Sequence, residues 1–462
     1  MLEGLKPYKD YKDSSLTWLV QIPAHWEVNR AKSIFQCIDQ RSKTGKEELL
    51  TVSSARGVVP RKTANVTMFK AESYLGYKLC WPNDLVINSL WAWAGGLGVS
   101  KHHGIISSAY GVYRIRSDAK MFPAFIDYVV RSSAFNWELQ VRSKGIWTSR
   151  LLLSDISFLD APIHIPSLEE QEAIVKFLDY TNKKLDRAIK AKRKTIALLN
   201  EQKQAIIHRA VTRGLDPSAP LKPSGIPWLG DIPAHWDVWP LKRLAWFKSG
   251  AGFPVGEQGK EGLEIPFLKV SDMKLMGNDK WMERCNNSVS KEVADKLGAN
   301  IFPEKTIIFP KVGGAMLTNK RRLLLKASCI DNNMMGCVVR RGDLNFVFLL
   351  LQFLDFSRLS KPGPVPAIGE GEVREIKVVF PPINEQLAIV SFVNQETQHL
   401  IRMVYRLEHE IELLIEYRTR LISDVVTGKL DVREAAKNLP AEAIPQPIED
   451  ISEDEEELEE AA

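Results

Sequence analysis

The strongest constraint on this 462-residue chain is a helical segment that occurs twice. Residues 166–216 and 381–431 align without a gap at an offset of 215, and 18 of the 51 aligned positions are identical. Each copy carries a Glu-Gln pair near its start (Glu170-Gln171 and Glu385-Gln386) and ends on the sequence Thr-x-x-Leu-Asp. The duplication predicts a chain assembled from two modules of one design.

Apolar residues recur in both copies at alternating steps of three and four, the heptad spacing of coiled-coil helices. The second series is Val390, Val393, Thr397, Leu400, Val404, Leu407, Ile411, Leu414, Arg418, Leu421 and Val425. The first series is Val175, Leu178, Asn182, Leu185, Ile189, Lys192, Ile196, Leu199, Lys203, Ile206 and Ala210. A helix of about 43 residues at ~1.5 Å each spans roughly 65 Å, a length that no globular core requires. We therefore expect the copies to pack against each other; two unrelated bundle helices are the alternative.

A shorter motif also occurs twice, ahead of each helical segment. TWLVQIPAHWEV (17–28) returns as PWLGDIPAHWDV (227–238) at an offset of 210. The two histidines, His25 and His235, have no second metal ligand at a suitable spacing. We expect each motif to pack through its tryptophan, with the histidine satisfied by a local hydrogen bond rather than acting as a metal ligand or general base.

Between motif and helix lie two variable bodies, 29–165 and 239–380. Turn-bounded β-rich runs such as GVYRI (111–115) and GCVVR (336–340) predict strands. Residues 122–135 and 346–359 predict helices, each followed by a polar Ser-Lys turn. The chain is therefore predicted to be α+β, with two tandem modules that each end in a long helix.

A proline-rich stretch, RGLDPSAPLKPSGIP (213–227), is predicted to be a linker that lets the second module fold back. The two helices can then run antiparallel, centred near Lys192 and Leu407, as an antiparallel coiled coil with pseudo-twofold symmetry. In that arrangement a basic run on the first helix would face acidic residues of the second, the alternative being two independently solvated faces. The basic residues are Lys183, Lys184, Arg187, Lys190, Arg193 and Lys194, and the acidic ones are Glu408, Glu410, Glu412 and Glu416. Ser167 and Glu170 also have the spacing of a capping box at the first helix start.

Charge and composition narrow the class of protein. The formal net charge is +5, but residues 441–462 contain ten acids and no base, so the remaining chain carries +15. A body that basic is compatible with a polyanionic partner, whereas the acidic segment 432–462 is predicted to be a disordered tail. Five cysteines without a CxxC pair favour a reducing cytoplasm. We expect no membrane span, because the longest apolar run is too short.

Catalytic and metal motifs are absent from the sequence, so we predict no catalytic residues, no metal site and no cofactor in this chain. Two basic, polar loops are the candidate DNA contacts, although either could be an ordinary exposed loop. The first loop contributes Trp91, Lys101, His102 and His103, and the second contributes Lys311, Asn319, Lys320, Arg321, Arg322 and Lys326. The Ser-Lys turns add Lys144 and Lys361.

The doubled IPAHW motif, the doubled Glu-Gln helix start and the closing Leu-Asp together resemble the specificity subunit of type I restriction–modification systems. The resemblance covers nearly the whole chain except the acidic tail. It implies target-recognition domains at 1–165 and 217–380. It also implies a central conserved spacer helix at 166–216 and a C-terminal conserved spacer helix at 381–431.

That family's subunit binds double-stranded DNA and is not itself an enzyme. The resemblance implies partners: two modification subunits that methylate adenine with S-adenosylmethionine, and restriction subunits that use ATP and Mg²⁺ to translocate and cut DNA. Because the two bodies differ, we expect an asymmetric bipartite target, with the paired helices setting the unread gap. A stand-alone regulator with a bipartite operator is the alternative, and a fused methyltransferase is disfavoured because no Asn-Pro-Pro-aromatic motif occurs.

Overall fold

The computed structural model describes residues 5–16, 19–64, 71–145, 151–274, 280–356 and 365–440. The chain forms two compact units. The first comprises the described residues of Met1–Ala191 and Glu410–Ala462, and the second those of Lys192–His409. Each unit mixes strands and helices, which confirms the predicted α+β class. The prediction of a disordered tail at 432–462 is wrong for its first residues, because Arg433–Lys437 is a helix and Val432 and Ala436 are buried in the core of the first unit. Residues 441–462 lie outside the described residues.

The first unit is built on a four-stranded antiparallel sheet, in which Gly111–Ile115 pairs with Phe35–Cys37 on one side and with Leu85–Ile87 on the other. Leu97–Val99 forms one edge of that sheet. The remaining strands are Tyr11–Leu16, Leu19–Pro23, Glu27–Arg30, Leu50–Ser53, Gly57–Pro60, Lys78–Cys80, Gly104–Ile106 and Pro162–Ile165. Short helices occupy Ala31–Ile34, Pro123–Val130, Ser133–Arg142, Asp155–Leu159 and Arg433–Lys437.

The second unit contains a five-stranded sheet centred on Ile307–Pro310, which pairs antiparallel with Met334–Val339 and Arg322–Leu324. Ala245–Ser249 and Trp281–Met282 are its edges. The remaining strands are Leu221–Pro223, Asp231–Pro233, Asp237–Pro240, Ile265–Leu268, Ser288–Val289, Cys329–Ile330 and Lys377–Phe380. Short helices occupy Lys291–Lys296, Gly314–Leu317, Leu344–Phe353 and Glu370–Glu375.

Two long helices supply residues to both units. The first long helix is Leu168–Arg213 and the second long helix is Ile383–Val426, each within its predicted segment. In the first unit the start of the first long helix shares a core with the end of the second, where Leu178 and Leu421 belong to one apolar cluster. In the second unit the order is reversed, because Ile207 clusters with Val393. Both units therefore contain an antiparallel helix pair, as predicted.

Burial follows the heptad closely in the second long helix, where Val390, Leu400 and Leu421 are all below 9% exposed. In the first long helix Val175 and Leu185 are buried as predicted, whereas towards its end the buried residue is Ile207 rather than Ile206. The predicted Ala210 is buried there together with Val211, so the apolar stripe widens by one position, as expected for a helix of 3.6 residues per turn set against a strict seven-residue repeat.

The charges along the helix pair only partly match the prediction. In the first unit the ion pair across the helices joins Asp186 to Arg418, so the acid lies on the first long helix and the base on the second. In the second unit Lys203 and Glu408 interact in the predicted sense. Asn182, a polar member of the first heptad series, donates its amide to Tyr128 of a short helix (3.1 Å).

The predicted linker is not simply a connection. Its strand Leu221–Pro223 pairs antiparallel with Asp231–Pro233, forming a hairpin whose second strand contains the first two residues of the second IPAHW sequence. The N-terminal hairpin has the same register at an offset of 210, since Lys12 pairs with Ile22 and Lys222 with Ile232. The proline content of this stretch predicts a linker, but prolines also fit short edge strands, because they lack the N–H that a central strand would need.

The predictions for the variable bodies are largely confirmed. GVYRI forms the strand Gly111–Ile115, and the run at 336–340 lies mostly within Met334–Val339. The helix predicted at 122–135 is interrupted: Pro123–Val130 ends and Ser133–Arg142 begins, with Ser132 capping the second helix through Phe135 N. Among the described residues no helix is both long and apolar enough to cross a membrane.

Candidate nucleic-acid interface

Each variable body is joined to its long helix by a repeated junction. In the first unit the strand after the IPAHW motif, Glu27–Arg30, pairs with Pro162–Ile165, the strand that leads into the first long helix. In the second unit Asp237–Pro240 pairs in the same way with Lys377–Phe380. The pairing brings each motif against the first turn of its helix. The two repeats, separated by more than a hundred residues, therefore form one structural element.

Glu170 is the centre of the first junction. Its carboxylate accepts hydrogen bonds from Tyr8 Oη (2.6 Å), His25 Nε2 (2.8 Å) and the indole Nε1 of Trp26 (3.1 Å). Trp26 is fully buried and stacks on His164 with ring centroids 5.5 Å apart. The carboxylate is itself 3% exposed, and it satisfies two donors with little access to water, Tyr8 and Trp26.

Glu385 takes the same position in the second junction. It accepts hydrogen bonds from His235 Nε2 (2.7 Å) and from the indole of Trp236 (2.8 Å). Its side chain is 40% exposed. At the positions that match Tyr8 and His164 in the repeat alignments, this module has Ser218 and Val379. The second junction therefore lacks the aromatic layer that shields the first.

The glutamine beside each glutamate fixes the loop that precedes a domain helix. Gln171 accepts a bond from Phe122 N (2.7 Å), just ahead of Pro123–Val130, and Gln386 accepts one from Asp343 N (2.8 Å), just ahead of Leu344–Phe353. Both glutamines are completely buried. Each Glu-Gln pair thus holds the motif on one side and the domain's central helix on the other.

Two predictions about these residues are wrong in detail. The histidine bonds are not local, because His25 and Glu170 are 145 residues apart. Ser167 does cap the helix through Glu170 N (3.3 Å), but the Glu170 carboxylate is engaged by the IPAHW motif instead of closing a capping box. The sequence does contain a signal for this contact: the His-Trp pair and the Glu-Gln pair are both repeated, once in each module.

The predicted contacts of the first domain lie on two different loops. Trp91 is 55% exposed and stacks on Trp93, with ring centroids 5.8 Å apart. Lys101, His102 and His103 follow the other end of the strand Leu97–Val99. The structure therefore places Trp91 and the basic loop at opposite ends of a short strand instead of forming one cluster.

The basic loop of the first domain is supported by packed aromatic and charged groups. His103 packs on Trp81 with ring centroids 5.3 Å apart. Arg114 also packs on Trp81, with its guanidinium 4.9 Å from the ring centroid, and donates two bonds of 2.8 Å to Asp84. Lys101 is exposed beside this platform, which suits contact with a phosphate.

In the second domain the structure corrects the predicted role of Arg321. Its side chain is 1% exposed, and its guanidinium donates to the carbonyl oxygens of Lys320, Leu351 and Leu354. It also lies 4.4 Å from the Phe356 ring. Burial lowers its pKa to about 9. Arg321 is thus a core residue here and has no surface from which to reach DNA.

Asn319 is likewise used inside the domain. Its backbone is left-handed (φ 50°) at the end of a short helix. Its amide donates to Gln352 O (2.9 Å), and its carbonyl accepts from Arg321 (2.6 Å). Both polar ends of the side chain proposed to read a base edge are therefore bonded to the protein.

The other predicted cations of this domain are separated by the strand Arg322–Leu324. Lys311 and Lys320 lie towards one end, because Ile308 pairs with Arg322, and the exposed Lys326 follows the other end. Burial, together with the nearby charges of Arg322 and Lys274, lowers the pKa of Lys320. The neighbouring charges of Arg322 and Lys274, rather than the burial, give a positive potential around Lys320, which favours an anionic partner.

Of the two Ser-Lys turns, Lys144 is exposed next to a bridge with Leu152, and Lys361 lies outside the described residues. Among the residues that the structure describes, no group of three or more His, Cys, Asp or Glu side chains could hold a metal ion. Arg322 is only 7% exposed and donates to Arg321 O (3.1 Å), so the structure leaves its side chain little surface from which to contact DNA. The DNA contacts of Trp91, Lys101, His102, His103, Lys144, Lys311, Lys320, Lys326 and Lys361 remain predictions.

Comparisons with known proteins agree on one family. Residues 233–413 match the family model described as the type I restriction modification DNA specificity domain. A putative type I restriction enzyme specificity subunit, MjaX of Methanocaldococcus jannaschii, is 24% identical over 455 residues, covering 92% of this chain and 98% of the relative. The MjaIX specificity subunit of that organism is 21% identical, covering 90% of this chain and 95% of the relative.

A solved structure has the same fold. It belongs to a study of complex assembly and conformational transition of the type I R-M system, and it aligns with a TM-score of 0.58 at 16% identity. The alignment covers 88% of this chain and 99% of the solved one.

Proposed function

We infer that this chain belongs to the specificity subunits of type I restriction–modification systems and is the non-catalytic subunit that selects the DNA sequence. Full-length relatives with that name and the DNA specificity domain matched at 233–413 support this assignment. The chain's own contribution is then recognition and positioning. Adenine methylation, ATP hydrolysis and the associated S-adenosylmethionine, ATP and Mg²⁺ are proposed for partner subunits. A cytoplasmic location, where host DNA is found, is part of this proposal.

The proposed target is an asymmetric bipartite site in double-stranded DNA. The observation that carries this proposal is the repeated junction: Glu170 and Glu385 hold two different recognition domains through the same bonds. The surfaces offered to DNA differ, since the first domain exposes Trp91 and Lys101 whereas the second exposes Lys326. Two dissimilar surfaces favour two unlike half-sites.

The proposed protein partners are two modification subunits and, with them, restriction subunits. Repeated junctions give a repeated partner two similar places to bind. The second long helix also exposes large apolar side chains that the chain's own core does not cover. They are Ile383, Leu387, Phe392, Ile401, Met403, Tyr405, Leu413 and Ile415. An assembly that covers them with a modification subunit would remove that apolar area from water.

The test is exchange of one recognition domain. The body 241–376 is replaced by the corresponding body of a specificity subunit with a known target, the junction strands and helices being kept, and the chimera is co-expressed with its modification subunits. Mapping of methylated adenines should show one half-site changed and the other retained. The reciprocal exchange of 31–161 is the matched control. A chimera that alters both half-sites, or neither, would refute the assignment of one domain to each half-site.

The composition of the purified complex distinguishes the proposed specificity subunit from the alternative, a stand-alone regulator. We expect a modification subunit to co-purify with the chain and the isolated chain to leave labelled S-adenosylmethionine unbound. A chain that binds its operator tightly alone, and on which no methylation in the host depends, would favour the regulator.

A further inference from the structure

A cavity of about 220 Å³ lies within the second unit, where the end of the first long helix, the start of the second and the recognition domain meet. The helices line it with Lys203 and Asn394, among others, and the domain lines it with Lys280, Arg322 and Asn345. Its size is below that of a typical drug-sized ligand pocket and suits a small group.

The charged side chains that line the cavity are all cationic. Four cationic residues line the cavity, Lys203, Lys280, Arg321 and Arg322, and no Asp or Glu is among its described lining residues. The Arg321 guanidinium is already bonded to backbone carbonyl oxygens, which leaves the other three for a ligand. Side-chain amides of Asn200 and Asn394 add neutral donors. Ammonium, guanidinium and amide groups are the donors that bind phosphate oxygens in proteins.

The internal repeat shows what is different about this place. Lys203 aligns with Arg418 at the offset of 215, and Ile401 aligns with Asp186. In the first unit Arg418 is paired with Asp186 across the helices. In the second unit the matching carboxylate is replaced by Ile401, which lines the cavity. The second unit therefore keeps a cation between the helices, Lys203, but has no carboxylate at the position that corresponds to Asp186.

The remaining neighbours of Lys203 do not replace that partner. Among the described residues its ammonium has no hydrogen bond, and it is attracted by Glu408 but repelled by Arg322. Burial and this repulsion lower the pKa of Lys203. Lys280 is also half-buried, with its ammonium 4.7 Å from the Phe348 ring and bonded to Asn345 Oδ1 (2.6 Å). Glu408 attracts the Lys203 ammonium and Asp343 attracts the Lys280 ammonium, but neither carboxylate lines the cavity. Burying a cation is costly unless it is paired and hydrogen-bonded, so an anion in the cavity would stabilise the unit.

We propose that this cavity is a binding site for a phosphate-class oxyanion no larger than a diphosphate, held between Lys203, Lys280 and Arg322. The proposal stands independently of DNA recognition by the chain. The phosphate could belong to a free small molecule or to the backbone of bound DNA. Both sources present the same oxygens to the same donors, and two arms of the experiment distinguish them.

The first arm is titration of the full chain with sodium pyrophosphate at constant ionic strength, followed by ³¹P NMR and isothermal calorimetry. We expect saturable binding of one equivalent, weakened at least tenfold by Lys203→Met. The exposed Lys194 of the same helix gives the matched control, and Lys194→Met should bind as the wild type does. Thermal unfolding without pyrophosphate should show Lys203→Met to be folded and no less stable than the wild type.

A second variant keeps the test decisive if Lys203→Met does not fold. Ile401→Asp restores the carboxylate found in the first unit, so it should raise the stability of the free chain and abolish pyrophosphate binding. Pyrophosphate that fails to bind saturably, or that binds Lys203→Met and Ile401→Asp as tightly as the wild type, would overturn the proposal.

The second arm is binding of duplex DNA to the complex with its modification subunits. If the anion is a DNA phosphate, Lys203→Met lowers the slope of log affinity against log salt by about 1, and pyrophosphate competes with DNA. If it is a free anion, DNA affinity is unchanged by Lys203→Met and pyrophosphate still binds. The pyrophosphate titration requires no DNA, so its result is independent of the proposed specificity function.

Discussion

The two junction glutamates provide a matched pair of substitutions in one chain. Glu170→Ala removes the acceptor of the buried Tyr8 hydroxyl and Trp26 indole, and each buried donor left without a partner costs about 1–3 kcal/mol. Glu385→Ala affects one buried indole, and water can reach the half-exposed Glu385 position. We therefore expect the first unit to lose about 3–5 kcal/mol and the second about 1 kcal/mol. The larger value is a sizeable part of a domain's typical stability of about 5–15 kcal/mol.

The two units need separate readouts because a chain with two units need not unfold in one step. Hydrogen exchange followed by mass spectrometry across a urea series reports peptides from each unit. The neighbouring exposed Glu169 supplies the charge control, and Glu169→Ala should change little. Glu170→Gln keeps one acceptor oxygen and should recover about half of the loss. Equal losses for Glu170→Ala and Glu385→Ala, or a loss below about 1 kcal/mol at Glu170, would refute the role assigned to the buried junction.

Other expectations concern pH, backbone geometry and DNA. Burial lowers the pKa of His164 to about 4 from 6.5; the unfolded chain therefore takes up this proton first, and the first unit should lose about 3 kcal/mol as pH falls from 6.5 to 4. In His164→Phe, the free energy of unfolding measured with urea should depend less on pH between 6.5 and 4. An unchanged pH dependence would exclude His164 as its source. Gly428→Ala, at φ 75° with its Cβ overlapping Pro23, should cost about 2–4 kcal/mol. Gly214→Ala, at φ 74° with its Cβ 3.1 Å from the Trp236 ring, should cost about 1–2 kcal/mol, and paired melting curves test that order. Lys101→Gln should lower the DNA salt slope by about 1, whereas an unaltered slope would remove Lys101 from the interface. Insertion of matched heptads into both long helices should lengthen the unread gap between half-sites in a methylation map without changing the half-sites.

The internal repeat made the architecture predictable. Heptad spacing fixed the two long helices to within a few residues, since the regular apolar stripe at Val390 and Leu400 has no counterpart in strands or loops. The antiparallel arrangement also followed from the order of modules and the length of the connection. The connection itself was harder, because the hairpin at Leu221–Pro223 depends on backbone pairing with Asp231–Pro233 and not on its own composition.

The site was less predictable because surface chemistry depends on which side chains the fold leaves exposed. Arg321 and Asn319 have the residue types of a DNA contact, yet carbonyl oxygens exposed at the end of Leu344–Phe353 capture both of them. Conversely, Glu170 looked like a helix cap because its partners, Tyr8 and His25, are distant in sequence. Spacing identifies local pairs, whereas bonds across 145 residues require the strand pairing that creates the junction.

The two ends of the described chain meet in the first unit, where Asp431 N donates to Lys6 O (2.8 Å) and Tyr11 Oη donates to Gly428 O (3.2 Å). In the second unit the same place is crossed by unbroken chain, running from Gly214 to the hairpin at Leu221–Pro223. The fold is therefore compatible with circular permutation. A circular permutant that begins and ends between Gly214 and Leu221, with residue 431 joined to residue 6, would keep both junctions and reverse the order in which the two variable bodies are synthesised.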